Sequence, residues 1–75
     1  MITLRDLSNI IGIDLSQVDD NAKMTELGTD SVKLVMLVGY VEENTKYTVS
    51  EEEIFSIRVK DVKDMLRNTW KRPTE

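Results

Sequence analysis

The sequence contains neither cysteine nor histidine among its 75 residues. Without cysteine the chain can form no disulfide, no thiolate metal site and no cysteine nucleophile of its own. Without histidine it also lacks the commonest general base and the commonest metal ligand. Carboxylates, lysines, tyrosines and hydroxyls are what remains for chemistry, which argues against a self-sufficient enzyme.

Long apolar runs are absent as well. No stretch approaches the roughly 20 residues that a helix needs to span a bilayer. The segment 1–6 lacks the basic start and apolar stretch of a signal peptide. The sequence therefore predicts a soluble, cytoplasmic protein without a membrane partner. Its length limits it to one domain with a small core.

Charge is distributed unevenly along the chain. Residues 1–57 carry four basic and eleven acidic side chains, a net charge of −7, whereas residues 58–75 carry six basic and three acidic ones, a net charge of +3. The acidic larger part argues against nucleic acid as a partner. Two interpretations of the basic part are open: a solvated helix face with a tail, or a docking patch for an acidic surface.

Apolar residues at helical spacing predict an all-α fold, a small bundle of three main helices and one short helix. A capping-box pattern at Ser50 and Glu53 predicts the start of the short helix, and Gly12 predicts the end of the first. The main helices are predicted over about 3–11, from 30 or 31 to 45, and over 59–70, with the short helix following residue 50.

Residues 13–30 form a long connection between the first two helices. Connections of this length are uncommon in compact domains and are often functional. Its scattered apolar residues predict that the connection is pinned across the helices, and Gly28 predicts a turn just before the second helix.

Ser31 lies where this glycine turn meets a helix start. The first turn of a helix has unpaired amide groups and the positive end of the helix dipole, so a phosphate group on the Ser31 hydroxyl would be favoured there. The plainer interpretation is that Asp30 or Ser31 only caps the helix, because both residue types are common caps.

The stretch Leu-Gly-Thr-Asp-Ser-Val, residues 27–32, resembles the attachment motif of acyl and peptidyl carrier proteins. The resemblance extends to flanking segments and covers roughly residues 4–67 in the same order and spacing. The flanking segments that resemble the family are 11–14, 41–43, 54–57 and 59–62. The resemblance implies an acyl-carrier-like fold.

The resemblance further implies a phosphopantetheine arm on Ser31, attached by a phosphopantetheinyl transferase that uses coenzyme A. Asp30 matches the acid beside the serine, where the transferase docks. The arm would hold an acyl or aminoacyl group as a thioester, received from a loading enzyme and passed to condensing or acyltransferase enzymes. The chain itself would be a monomeric shuttle and not an enzyme.

The second helix departs from the family at Lys33 and Met36, where carriers of fatty-acid synthesis usually have carboxylates. Val32, Val35, Met36 and Tyr40 exceed what one buried stripe requires. Either the helix is buried more completely than usual under the connection, or these side chains form an exposed apolar patch for partner enzymes.

Lys33 belongs to the same predicted partner surface. Glu42 and Glu43, further along the helix, are predicted to remain available for basic residues of a partner.

These observations predict a free-standing carrier, with residues 1–70 as the carrier domain and 71–75 as a tail. The pathway would be polyketide, non-ribosomal peptide or a related antibiotic-type biosynthesis, and acyl and aminoacyl cargo both stay open. The alternative is a non-catalytic helical interaction module that binds a partner through its apolar second helix.

Overall fold

The computed structural model describes residues 2–72 of the chain. Within them the chain is helical, and its extended segments form only an isolated bridge between Lys23 and Arg58. This confirms the predicted all-α bundle of three main helices and one short helix. The elements are α1 (Leu4–Ile11), a 3₁₀ turn (Met24–Glu26), α2 (Ser31–Asn44), α3 (Glu51–Ile54) and α4 (Val59–Leu66).

Local side-chain interactions set both ends of α1. The Thr3 hydroxyl accepts a hydrogen bond from the Asp6 amide at 3.2 Å, and the Asp6 carboxylate accepts one from the Thr3 amide at 2.9 Å. Gly12 ends the helix in a left-handed conformation with φ of 72°, which glycine adopts at little cost. The predicted end of this helix is confirmed.

The start of α2 is capped by Asp30 and not by Ser31. The Asp30 carboxylate accepts a hydrogen bond from the Lys33 amide at 2.8 Å, while Ser31 is already the first helical residue. The start of α3 has the predicted capping box, in which Ser50 and Glu53 each accept a hydrogen bond from the other's amide.

The connection between α1 and α2 is pinned to the bundle, as predicted. Leu15 and Met24 are fully buried. The Met24 amide donates to the Ile57 carbonyl at 3.0 Å, and the Val59 amide donates to the Ala22 carbonyl at 2.9 Å. These bonds fix the connection against the start of α4. The 3₁₀ turn within it was not predicted.

The core consists of apolar side chains, and no polar or charged side chain of the described residues is buried in it. α2 contributes the stripe Leu34, Leu37, Val38 and Val41 and packs against α1. These four side chains lie on one side of the helix, as is typical of a helix that is buried on one side. The opposite side of α2 is therefore left to solvent.

The prediction that the last helix extends to Trp70 is wrong. Asn68 adopts a left-handed conformation with φ of 63°, and the Thr69 amide returns to the Asp64 carbonyl at 2.9 Å. The helix therefore ends at Leu66. Trp70 is buried all the same, because the chain after the helix folds back onto the bundle.

Of the predicted tail 71–75, residues 73–75 lie outside the described residues.

No helix in the described part of the chain has both the length and the apolar character needed to cross a membrane. α2, the longest, has 14 residues, compared with the roughly 20 that span a bilayer.

Candidate functional site

Ser31 stands exposed at the amino end of α2. Gly28 makes the turn that leads to it, with φ of 81°, a backbone conformation that favours glycine. Asp30 is extended and occupies the cap position, so the Ser31 hydroxyl is not used to start the helix. Within the described residues, this hydroxyl makes no hydrogen bond and is available for modification.

The helix start also offers backbone donors. The Asp30 carboxylate binds the Lys33 amide. Hydrogen bonds within residues 2–72 leave the amides of Ser31 and Val32 without an acceptor. Unpaired amides at the positive end of a helix dipole favour a phosphate group. The arrangement therefore suits a phosphodiester on the Ser31 oxygen.

A cavity of about 380 Å³ borders Ser31. Leu34 and Val35 of α2 form one wall, and Ile54 and Phe55 at the end of α3 form the facing wall. The lining is largely apolar, with Asp30 and Ser31 at its edge. A flexible group attached to Ser31 would therefore have an apolar cavity directly beside its point of attachment.

Large apolar side chains are exposed along α2 and at the end of α3, and two of them, Val35 and Phe55, also line this cavity. Val32, Val35 and Met36 have 68%, 55% and 58% of their surfaces exposed, and Tyr40 and Phe55 are exposed as well. Of the two alternatives left open for the second helix, more complete burial is therefore wrong, and these side chains are exposed. Large apolar side chains gathered on a surface are typical of an interaction site. We call Val32, Val35, Met36, Tyr40 and Phe55 the apolar patch.

The charged residues predicted as partner contacts differ in their surroundings. Lys33 and Glu43 are exposed. Glu42 is half-buried, and its carboxylate accepts a hydrogen bond from the Val49 amide at 2.8 Å, which ties the loop before α3 to α2. One oxygen of Glu42 is thus engaged within the chain, and the role of this residue as a partner contact stays a prediction.

Ile54 and Phe55 are the site residues that sequence reasoning missed. Phe55 is exposed beside the cavity, whereas Tyr47 packs against the core. A helix of four residues is too short to show apolar periodicity. The sequence therefore could not predict which side of the bundle Phe55 faces. The sequence signals near this wall were the capping box at Ser50 and the resemblance of the segment 54–57 to the carrier family, and neither indicated that Phe55 would be exposed.

Thr29 offers a test of how the cavity is built. Its hydroxyl oxygen is buried and makes no hydrogen bond within the described residues. A buried hydroxyl without a partner costs about 1–3 kcal/mol. We expect Thr29→Val, which keeps the shape of the side chain, to raise the free energy of unfolding by about 1 kcal/mol, measured by urea denaturation. Thr25→Val, at an exposed position, is the matched control. A clear loss of stability in Thr29→Val would mean that the hydroxyl has a partner after all.

Comparison with protein-family models matches residues 4–67 to the family described as phosphopantetheine attachment site. Comparison with curated proteins and with solved structures returned no match. The matched region includes all four α-helices and the whole candidate site.

Proposed function

This chain belongs to the phosphopantetheine attachment site family, whose members carry a covalently bound phosphopantetheine group, and we propose that Ser31 is the attachment residue. Three observations support this choice. The Ser31 hydroxyl is exposed, the cap role is taken by Asp30, and the amides of Ser31 and Val32 are available to a phosphate. The cavity beside Ser31 leaves room for the attached group.

Attachment would use the Ser31 oxygen as the nucleophile toward the diphosphate of coenzyme A. One P–O bond forms to the Ser31 oxygen and one bond of the diphosphate breaks, so that the adenosine bisphosphate leaves and the hydroxyl proton is released. In the described part of the chain no side chain accepts a hydrogen bond from the Ser31 hydroxyl and could act as its general base. We therefore expect the transferase to remove that proton. Asp30 is held by its bond to the Lys33 amide, where it presents a fixed negative charge beside the serine.

When bound, the group supplies a thiol that can hold an acyl or aminoacyl cargo as a thioester. This accounts for how a chain without cysteine can take part in thioester chemistry. The chain's own residues fix the attachment point, provide the apolar wall of the cavity and present the apolar patch to partner enzymes. We propose that the carrier is non-catalytic, since it has neither histidine nor cysteine to activate a cargo.

We propose that the partners are a phosphopantetheinyl transferase, a loading enzyme and a downstream condensing or acyltransferase enzyme. The exposed apolar side chains of α2, where carriers of fatty-acid synthesis usually have carboxylates, support a polyketide, non-ribosomal peptide or related pathway over housekeeping fatty-acid synthesis. We also propose that the carrier is a discrete chain and not part of a larger protein. The mass of the intact protein in an extract of its native source would test this.

The experiment is intact mass spectrometry after incubation with coenzyme A and a phosphopantetheinyl transferase of broad specificity. We expect a gain of one phosphopantetheine per chain, and no further gain from acyl or aminoacyl donors until a loading enzyme is added. No gain at all would favour the alternative, a helical interaction module that uses the apolar patch. Cargo gain without a loading enzyme would contradict the non-catalytic assignment.

A further inference from the structure

The chain after α4 folds back across the bundle and is anchored there by Trp70. The Trp70 indole nitrogen donates to the Asp61 carboxylate at 3.2 Å, and the indole meets the ring of Tyr47 edge to face, with 5.5 Å between the ring centres. Both the indole and Tyr47 pack against the core. Residues 70–72, which we call the C-terminal strap, therefore start from a fixed point.

Arg72 connects this strap to the loop before α3 and to α3 itself. Its Nε donates to the Glu53 carboxylate at 2.8 Å, and its Nη2 donates to the Thr48 carbonyl. The guanidinium also lies 5.0 Å from the centre of the Trp70 ring, within the range of a cation–π interaction. One side chain thus holds three groups together.

The Glu53 carboxylate accepts the hydrogen bond from Arg72 and also takes part in the capping box of α3. One carboxylate oxygen accepts the Ser50 amide at 2.9 Å, and the other accepts Arg72. The Ser50 amide first, and Arg72 in addition, lower the pKa of Glu53 below its ordinary value. The carboxylate therefore stays ionised and paired with Arg72.

The α3 helix depends on such ties for its position. It has four residues, none of them buried, and its first three are glutamates. So short a helix has little stability of its own and owes its position to tertiary contacts. Its end supplies Ile54 and Phe55, the wall of the Ser31 cavity that faces α2.

We propose that Arg72 is a positioning residue that holds α3 in place as the far wall of the Ser31 cavity, so that the C-terminal strap keeps the cavity formed. The strap acts from behind the wall, since Arg72 bonds to Glu53 and Thr48 and does not line the cavity. That the cavity shelters a group attached to Ser31 depends on the proposed function. That Arg72 positions α3 does not depend on it.

The first test is amide hydrogen exchange of the unmodified 75-residue chain. In Arg72→Gln we expect residues 50–57 to exchange about tenfold faster, because hydrogen bonds to charged groups are among the stronger ones and their loss promotes local opening. The buried helices α1 and α2 should be unchanged. Lys71→Gln, which removes the same charge from the neighbouring exposed position, should have no effect.

A double-mutant cycle identifies the bond responsible. Glu53→Gln removes the ion pair from the other side but keeps an oxygen that can cap the Ser50 amide. We expect Glu53→Gln with Arg72→Gln to exchange no faster than Arg72→Gln alone, and Arg72→Lys to be intermediate. Unchanged exchange of α3 in Arg72→Gln, equal acceleration in Lys71→Gln, or fully additive effects in the cycle would each overturn the proposal.

The second test concerns the cavity. A phosphopantetheinyl transferase attaches an environment-sensitive fluorophore to Ser31 from a coenzyme A conjugate. The quenching of its fluorescence by acrylamide is then measured. We expect quenching to be about twofold stronger in Arg72→Gln than in wild type and Lys71→Gln, as the wall loosens. Equal quenching would overturn the role of the strap at the cavity. Failure of the protein to accept any label would instead overturn the proposed function and leave the exchange result to decide the positioning of α3.

Discussion

Ser31→Ala should abolish phosphopantetheine attachment completely, with the fold left intact. The substitution removes the only oxygen through which we propose the group is bound. Because Asp30 makes the capping bond to the Lys33 amide, α2 keeps its cap, and alanine is the best helix former at the vacated position. We therefore expect the free energy of unfolding to change by less than about 0.5 kcal/mol. Intact mass after transferase treatment measures the first effect, and urea denaturation measures the second.

Ser56→Ala is the matched control for this experiment. Ser56 is also exposed and follows a short helix, and within residues 2–72 its hydroxyl makes only one bond, to the Glu53 carbonyl at 3.2 Å. We expect Ser56→Ala to be modified as completely as wild type. If the Ser31→Ala protein is folded and still gains the group, another hydroxyl is the attachment point and the proposed role of Ser31 is lost.

Met36→Glu should slow cargo transfer to or from the partner enzyme by about ten- to a hundredfold in kcat/KM. Burying one side chain of this size in an interface contributes about 1.5–3 kcal/mol, and that contribution is lost when a carboxylate replaces it. Glu43→Gln should have a much smaller effect, since an exposed ion pair contributes less than about 1 kcal/mol. Raising the salt concentration should likewise have a mild effect. Steady-state transfer kinetics with the loading enzyme measure all three.

Two controls separate binding from folding and from charge. Met36 is exposed and glutamate is a good helix former, so Met36→Glu should retain the helical circular dichroism of wild type. Asn9→Glu adds the same charge at an exposed position of α1, outside the apolar patch, and should leave transfer unchanged. If Met36→Glu is harmless while moderate salt or Glu43→Gln abolishes transfer, the interface is electrostatic and the apolar patch does not carry recognition.

Glu42, the half-buried neighbour of Glu43, is a less suitable position for this experiment. Glu42 cannot serve as an uncomplicated probe of partner charge, because its carboxylate binds the Val49 amide and so supports the loop before α3. A transfer defect in a Glu42 variant would report on the position of that loop as much as on a partner. Glu43 is the cleaner substitution, which is why it stands in the experiment above.

What the sequence by itself determined lies in local interactions. The end of α1 at Gly12 and the start of α3 at Ser50 were predictable, because a left-handed glycine or a capping box is decided by residues within four positions along the chain. The attachment motif around Ser31 is local for the same reason, and the family match over residues 4–67 confirms the resemblance on which the fold and cofactor predictions rested.

Only the tertiary structure decided which apolar side chains are buried in the core and which are exposed to solvent. α2 is apolar on nearly all sides, so its sequence fits burial on either face. Packing against α1 selects Leu34 and Leu37 for the core and leaves Met36 outside. The burial of Trp70 beyond the end of α4, and the bond from Arg72 to Glu53, join residues far apart in sequence. No local pattern encodes such contacts, because they depend on how whole helices pack and where the chain between them can reach.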